Sequence, residues 1–88
     1  MPIKRHELLL PDLGMGETPI VASVWLVELG AQVVEGERLL EVVAGAATVD
    51  LPSPASGTLV ELLVDEDDEL SVGQCLAVIR TSSDDEVT

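Results

Sequence analysis

The sequence predicts an all-β fold of two similar half-sheets packed face to face, a sandwich or flattened barrel with approximate two-fold symmetry. Three observations predict it. Apolar residues make up 47% of the chain, yet Trp25 is its only aromatic. The core therefore falls to branched aliphatics, which favour pleated, half-buried surfaces. Short runs of these aliphatics alternate with turn signals rich in glycine and proline. The chain also repeats itself imperfectly at an offset of 37 positions: Leu26-Val27 matches Leu63-Val64, Val33 matches Leu70, Gly36 matches Gly73, Leu39 matches Leu76 and Val42 matches Ile79. Two copies are too few for a solenoid, and each is too short to stand as a domain. Two half-sheets that cover each other's apolar side satisfy the pattern.

The elements follow in order. Glu7–Leu10 is a short apolar run closed by Pro11, and residues 12–19 (DLGMGETP) form an exposed loop. Ile20–Glu28 is a strand around Trp25, and residues 30–36 (GAQVVEG) give a turn, a brief strand and another turn. Arg38–Val43 and Thr48–Leu51 are strands joined by Ala44-Gly45-Ala46-Ala47, where Gly45 suits a tight reversal. Pro52-Ser53-Pro54 breaks the ladder, and Gly57–Val64 and Gln74–Ile79 supply the last long strands. A helix over Val33–Val43 is disfavoured. Its apolar positions form no continuous 3.6-residue face, and Gly30, Gly36 and Gly45 interrupt it.

A length of 88 residues allows one domain, placed at residues 1–80, with residues 81–88 as an acidic flexible tail or the start of a linker. Lys4 is expected near a loose N-terminus. Seventeen Asp/Glu against four Lys/Arg give a net charge of −13, which argues against a phosphate backbone as partner. No apolar run reaches the roughly 18–20 residues of a membrane span, and the N-terminal apolar stretch is too short for a signal peptide. The single cysteine, Cys75, excludes an internal disulfide and fits a reducing compartment. A cytoplasmic, monomeric domain is expected.

Isolated side chains suggest little chemistry. The acids Asp65-Glu66-Asp67-Asp68-Glu69 lack the spacing of a calcium loop and read as a solvated turn; with the overall charge they would steer a basic partner. His6 has no second His or Cys to make a metal set and no Ser nucleophile beside it. Cys75 reads as a small core hydrophobe, and Trp25 as the one large core or semi-exposed aromatic. No catalytic or metal-binding residue is expected.

The stretches LLLPDLGMGETPIVASVWLVELG, GERLLEVVAGAATVDLPSPASGTLVELLV and VGQCLAVI resemble, in that order and spacing, the lipoyl domains of 2-oxo acid dehydrogenase acyltransferase components. More broadly, they resemble the biotinyl/lipoyl carrier family. The resemblance runs from about Leu8 to Ile79 and implies a flattened barrel of two four-stranded antiparallel sheets. It also implies a modified lysine at a β-turn tip, in a motif of the form E-[TS]-D-K-A. Here the matching stretch runs from Glu41 to Val49, with Ala44 at the threonine, Gly45 at the aspartate and Ala46 at the lysine, followed by Ala47. The chain's only lysine is Lys4.

Attaching lipoate or biotin forms an amide and needs a nucleophilic ε-amine, which a methyl group cannot supply. The expectation is therefore a lipoyl-like module with no lipoyl or biotinyl cofactor, acting as a scaffold on protein partners such as dehydrogenase-complex subunits. By the same resemblance Asp12, Leu13, Gly14, Met15, Gly16 and Glu17 lie beside the turn as a candidate partner-binding loop, with Met15 as an exposed apolar side chain. Asp67 stands where the family usually has glycine, and aspartate tolerates the left-handed backbone such a turn uses. Two alternatives remain: a carrier domain of an acyltransferase whose attachment site has been lost, or an unrelated acidic protein that mimics nucleic acid or regulates by binding.

Overall fold

The computed structural model describes residues 3–82, and those residues form eight strands and no helix. They are β1 (Ile3–Leu9), β2 (Ile20–Trp25), β3 (Gln32–Val33), β4 (Arg38–Ala44), β5 (Ala47–Pro52), β6 (Gly57–Leu62), β7 (Glu69–Leu70) and β8 (Cys75–Ser82). Two four-stranded sheets result, ordered β1-β8-β6-β3 and β5-β4-β2-β7, with every pairing antiparallel. The sheets stay separate, so the fold is a flattened sandwich rather than a closed barrel.

The 37-residue repeat is the fold's symmetry. Adding 37 carries β2 onto β6, β3 onto β7 and the start of β4 onto the start of β8. Hydrogen bonds repeat as well: Leu26 N–H donates to Leu39 O as Leu63 N–H does to Leu76 O, and Gly30 N–H to Leu59 O as Asp67 N–H does to Ala22 O. The side chains that brace the turns obey the same rule. Glu37 accepts from Val34 N–H at 3.0 Å, and Gln74 accepts from Ser71 N–H at 2.9 Å. Each half sends its two-residue strand into the other half's sheet, β3 beside β6 and β7 beside β2. The halves are interlocked, so each completes the other's ladder.

The core is aliphatic. Leu10, Leu39, Leu40, Val42, Leu51, Leu59, Leu76 and Ile79 are its largest fully buried side chains. Simple alternation would bury only one of Leu39 and Leu40, but the register shift between Arg38 and Leu40 turns both inward. Trp25 packs half-buried against this core.

The strands depart from the sequence reading mainly at their ends. β1 begins at Ile3, and Lys4, expected near a loose N-terminus, sits within this edge strand with its Cα opposite that of Thr81. The ladder breaks at Pro52-Ser53-Pro54 as expected, with Pro52 the last residue of β5, an edge strand where its missing N–H need face no partner. β7 was not anticipated, because two residues inside an acid-rich run carry no strand pattern of their own. β8 continues through Thr81 and Ser82, and the rest of the expected tail, residues 83–88, lies outside the described residues. No helix among the described residues is long and apolar enough to cross a membrane.

Candidate functional site

The β4–β5 hairpin is a two-residue reversal. Its ladder runs to the pair Ala44–Ala47 and closes on Gly45 and Ala46 alone. Gly45 has φ of 63°, whereas Ala46 stays out of the positive-φ region, the pattern of a II′ turn with glycine at its first central position. Alternation along β4 buries Val42 and Ala44 and leaves Gly45 and Ala46 exposed. The apex thus presents backbone amides, a hydrogen and a methyl group. It holds no amine, acid, base or nucleophile. Lys4 lies in the other sheet, on β1, away from this apex.

The loop from Asp12 to Thr18 is seated against that apex. A Cβ on Gly45 would stand 3.3 Å from Thr18 Cγ2, and Ile20, just after the loop, pairs with Ala44. The loop is braced internally: Gly14 N–H donates to Asp12 Oδ1 at 2.8 Å, and Thr18 N–H donates to Met15 O at 3.1 Å. Asp12, Gly14, Gly16 and Glu17 face solvent. Leu13 and Met15 do not match the exposed surface expected of them, because both are half-buried and pack on the core. They anchor the loop, and the four exposed residues form its outer face. Thr18, the last residue of the loop that the resemblance places beside the turn, makes this approach because β2 is laid beside β4.

The acidic run is a structural turn with defined contacts. Asp68 Oδ2 accepts from Asp65 N–H at 2.8 Å, and Glu66 Oε2 accepts from Trp25 N–H at 3.0 Å across the two halves. Asp67 takes φ of 78°, the left-handed backbone that Gly30 takes in the other half. No three His, Cys, Asp or Glu side chains among the described residues are grouped to hold a metal ion.

Cys75 is half-buried rather than a core residue, and its thiol donates to Ala77 O at 3.6 Å. Burial pushes the thiol pKa up, and the carboxylates of Glu7 and Glu61 push it further. It lines an open groove on the β1-β8-β6-β3 sheet with Arg5, Glu7, Leu9, Glu61 and Leu63, while half-buried His6 lies alongside. A protonated thiol flanked by carboxylates is a poor nucleophile.

Comparison with known proteins agrees with this fold. The family model described as "Biotin-requiring enzyme" matches residues 6–79. The chain is 41% identical over 70 residues to the dihydrolipoyllysine-residue acetyltransferase component of the pyruvate dehydrogenase complex of Corynebacterium glutamicum, covering 80% of this chain and 10% of that protein. It is 37% identical over 77 residues to the Mycobacterium bovis protein of the same description, covering 88% of this chain and 14% of the relative. It is 34% identical to the succinyltransferase component of the 2-oxoglutarate dehydrogenase complex of Staphylococcus saprophyticus, covering 88% of this chain and 18% of that protein. The chain therefore spans less than a fifth of the length of these relatives. Among solved structures, the crystal structure of Kluyveromyces lactis urea carboxylase shares the fold, with a TM-score of 0.73 at 19% identity over 90% of this chain and 6% of that one.

Proposed function

This chain belongs to the biotinyl/lipoyl domain family, and we propose that it is a non-catalytic member that carries no prosthetic group and works by binding proteins of a 2-oxo acid dehydrogenase complex. One observation carries the reading. The exposed apex of the β4–β5 hairpin consists of Gly45 and Ala46, so the place where the family resemblance puts the attachment lysine offers no amine to acylate. The resemblance supplies the partner class, since the relatives are named as components of such complexes. The braced loop reaches the apex through Thr18, and its exposed residues, Asp12, Gly14, Gly16 and Glu17, supply a contact surface. Its two acids, on a chain of net charge −13, favour a basic partner surface.

The binding claim is tested by titrating the domain with the purified 2-oxo acid dehydrogenase and dihydrolipoyl dehydrogenase components of such a complex. Saturable binding is expected, weakened several-fold by Asp12→Lys with Glu17→Lys and by raised salt. Absence of saturable binding to either component contradicts it. A second reading, a carrier domain with a lost site, is favoured by the intact hairpin and by the exposure of Ala46. Ala46→Lys separates the two. Efficient lipoylation of that variant by a lipoate ligase supports recent loss, and refusal supports a scaffold that has diverged from the carrier role.

A further inference from the structure

β2 ends at Trp25, and the chain then turns back towards β3. The turn is hydrogen-bonded: Ala31 N–H donates to Glu28 O at 3.0 Å, and Gly30 N–H donates to Leu59 O at 2.7 Å. The second half builds the same turn 37 residues later, where Asp68 N–H donates to Asp65 O and Asp67 N–H to Ala22 O. The side chains do not follow the backbone. Where the second turn has Glu66, whose carboxylate accepts from Trp25 N–H, the first has Leu29, 60% exposed. The same backbone forms with an acid in that place, so it gives no reason for a leucine. Leu29 and the exposed Leu26 line one open groove of about 540 Å³ with half-buried Trp25. The exposed acids Glu28 and Glu37 line it too, and among the described residues no Lys or Arg does. Arg38, next to Glu37 in the chain, pairs instead with Asp50 on β5 at 3.4 Å.

We propose that this groove docks a basic, aliphatic segment of a partner protein: a leucine-like side chain sits on Leu26, Leu29 and Trp25, and flanking lysine or arginine residues meet Glu28 and Glu37. Charge complementarity selects that occupant. Carboxylates with no lining cation among them favour a positive segment, and Glu66, held at Trp25 N–H, adds a further negative charge. A second copy of this chain would set −13 against −13 and acid against acid. Residues 83–88 carry three acids and no base, the wrong sign for these walls. The aliphatic floor adds what charge lacks, since burying one leucine-sized side chain raises affinity by about tenfold or more. The groove also lies away from the hairpin. β2 pairs Ile20 with Ala44 beside the apex and Trp25 with Leu40 at the other end. This second docking surface is therefore separate from the loop carrying Asp12 and Glu17, and it does not depend on what the apex carries.

Trp25 is the chain's only aromatic, so its fluorescence reports on the groove without a label. The probe is a short synthetic peptide of alternating lysine and leucine, compared with lysine–serine and glutamate–leucine peptides of equal length. The lysine–leucine peptide is expected to shift Trp25 emission saturably. The lysine–serine peptide should bind about tenfold or more weakly, for want of the apolar anchor, and the glutamate–leucine peptide should not bind. Leu29→Gln keeps the net charge and is close in shape to the acid that the other half carries there, so it should fold and also bind about tenfold or more weakly. Glu28→Lys should weaken binding several-fold at physiological salt. The same charge change at Glu69, which pairs with Val21 on β2, lies about 13 Å along that strand from Trp25, beyond the screening length, and should leave binding nearly unchanged. Amide NMR shifts on adding the peptide should centre on residues 25–32. No saturable emission change, a lysine–serine peptide or Leu29→Gln that binds like its parent, or equal effects of Glu28→Lys and Glu69→Lys would each overturn the proposal. So would shifts centred on residues 12–18, which belong to the loop surface, or Trp25 emission that changes with protein concentration alone, which would make a second copy the occupant.

Discussion

At the scale of single residues, Gly45 and Ala46 differ in what they tolerate. Gly45 holds φ of 63° with Thr18 beside it, so Gly45→Ala is expected to cost about 1–2 kcal/mol in urea denaturation. Ala46 is exposed and outside the left-handed region, so Ala46→Lys should lie within about 0.5 kcal/mol of wild type. Gly57 is constrained by space rather than by φ. A Cβ there would sit 2.2 Å from Arg80 O and 2.9 Å from Thr81 Cγ2. A backbone oxygen cannot move aside, so Gly57→Ala should cost about 3 kcal/mol, the upper end of overpacking. The sequence made Gly45 legible as a reversal and Asp67 as a left-handed position, because both follow from local backbone preference. It hid the constraint on Gly57 and the burial of Met15, because each depends on a strand or core brought near from elsewhere in the chain.

At the scale of elements, the two halves are held together by what crosses between them. Trp25, on β2, donates its indole N–H to Val64 O at 3.1 Å, and its backbone N–H donates to Glu66. Trp25→Phe keeps an aromatic ring but removes the indole donor and part of the ring's volume, an expected loss of about 1–2 kcal/mol by thermal or urea unfolding. A wild-type stability for that variant would mean that neither the bridge nor the lost part of the ring contributes. The repeat made this architecture readable: β2, β4, β6 and β8 were all visible as aliphatic runs at matching offsets. β7 was not, since Glu69-Leu70 is two residues long and becomes a strand only by pairing with Ile20 and Val21. The start of β1 was also hidden, because Lys4 and Arg5 do not look strand-like until β8 lies beside them.

At the scale of the whole molecule, charge is the dominant surface property. Net charge is −13, while the exposed pairs Arg5–Glu61 and Arg38–Asp50 contribute at most about 1 kcal/mol each. Repulsion among the carboxylates therefore outweighs attraction, and added salt should stabilise the fold by screening it. Raising sodium chloride from low to moderate concentration at neutral pH is expected to lift Tm by roughly 4–8 °C, the equivalent of about 1 kcal/mol in a domain this size. A fall in Tm would mean that the ion pairs dominate. The family and its sandwich were legible in the sequence as an order of strands and turns; the partner was not, because partner choice lies in a surface that no strand pattern encodes. The central claim is that this domain carries no acyl-transfer arm, and intact mass spectrometry tests it most directly. The protein would be coexpressed with lipoate and biotin ligases and their cofactors, beside Ala46→Lys. The wild-type chain should have the mass of the bare polypeptide whatever the fate of the variant; a wild-type increment equal to one lipoyl or biotinyl group would contradict the account.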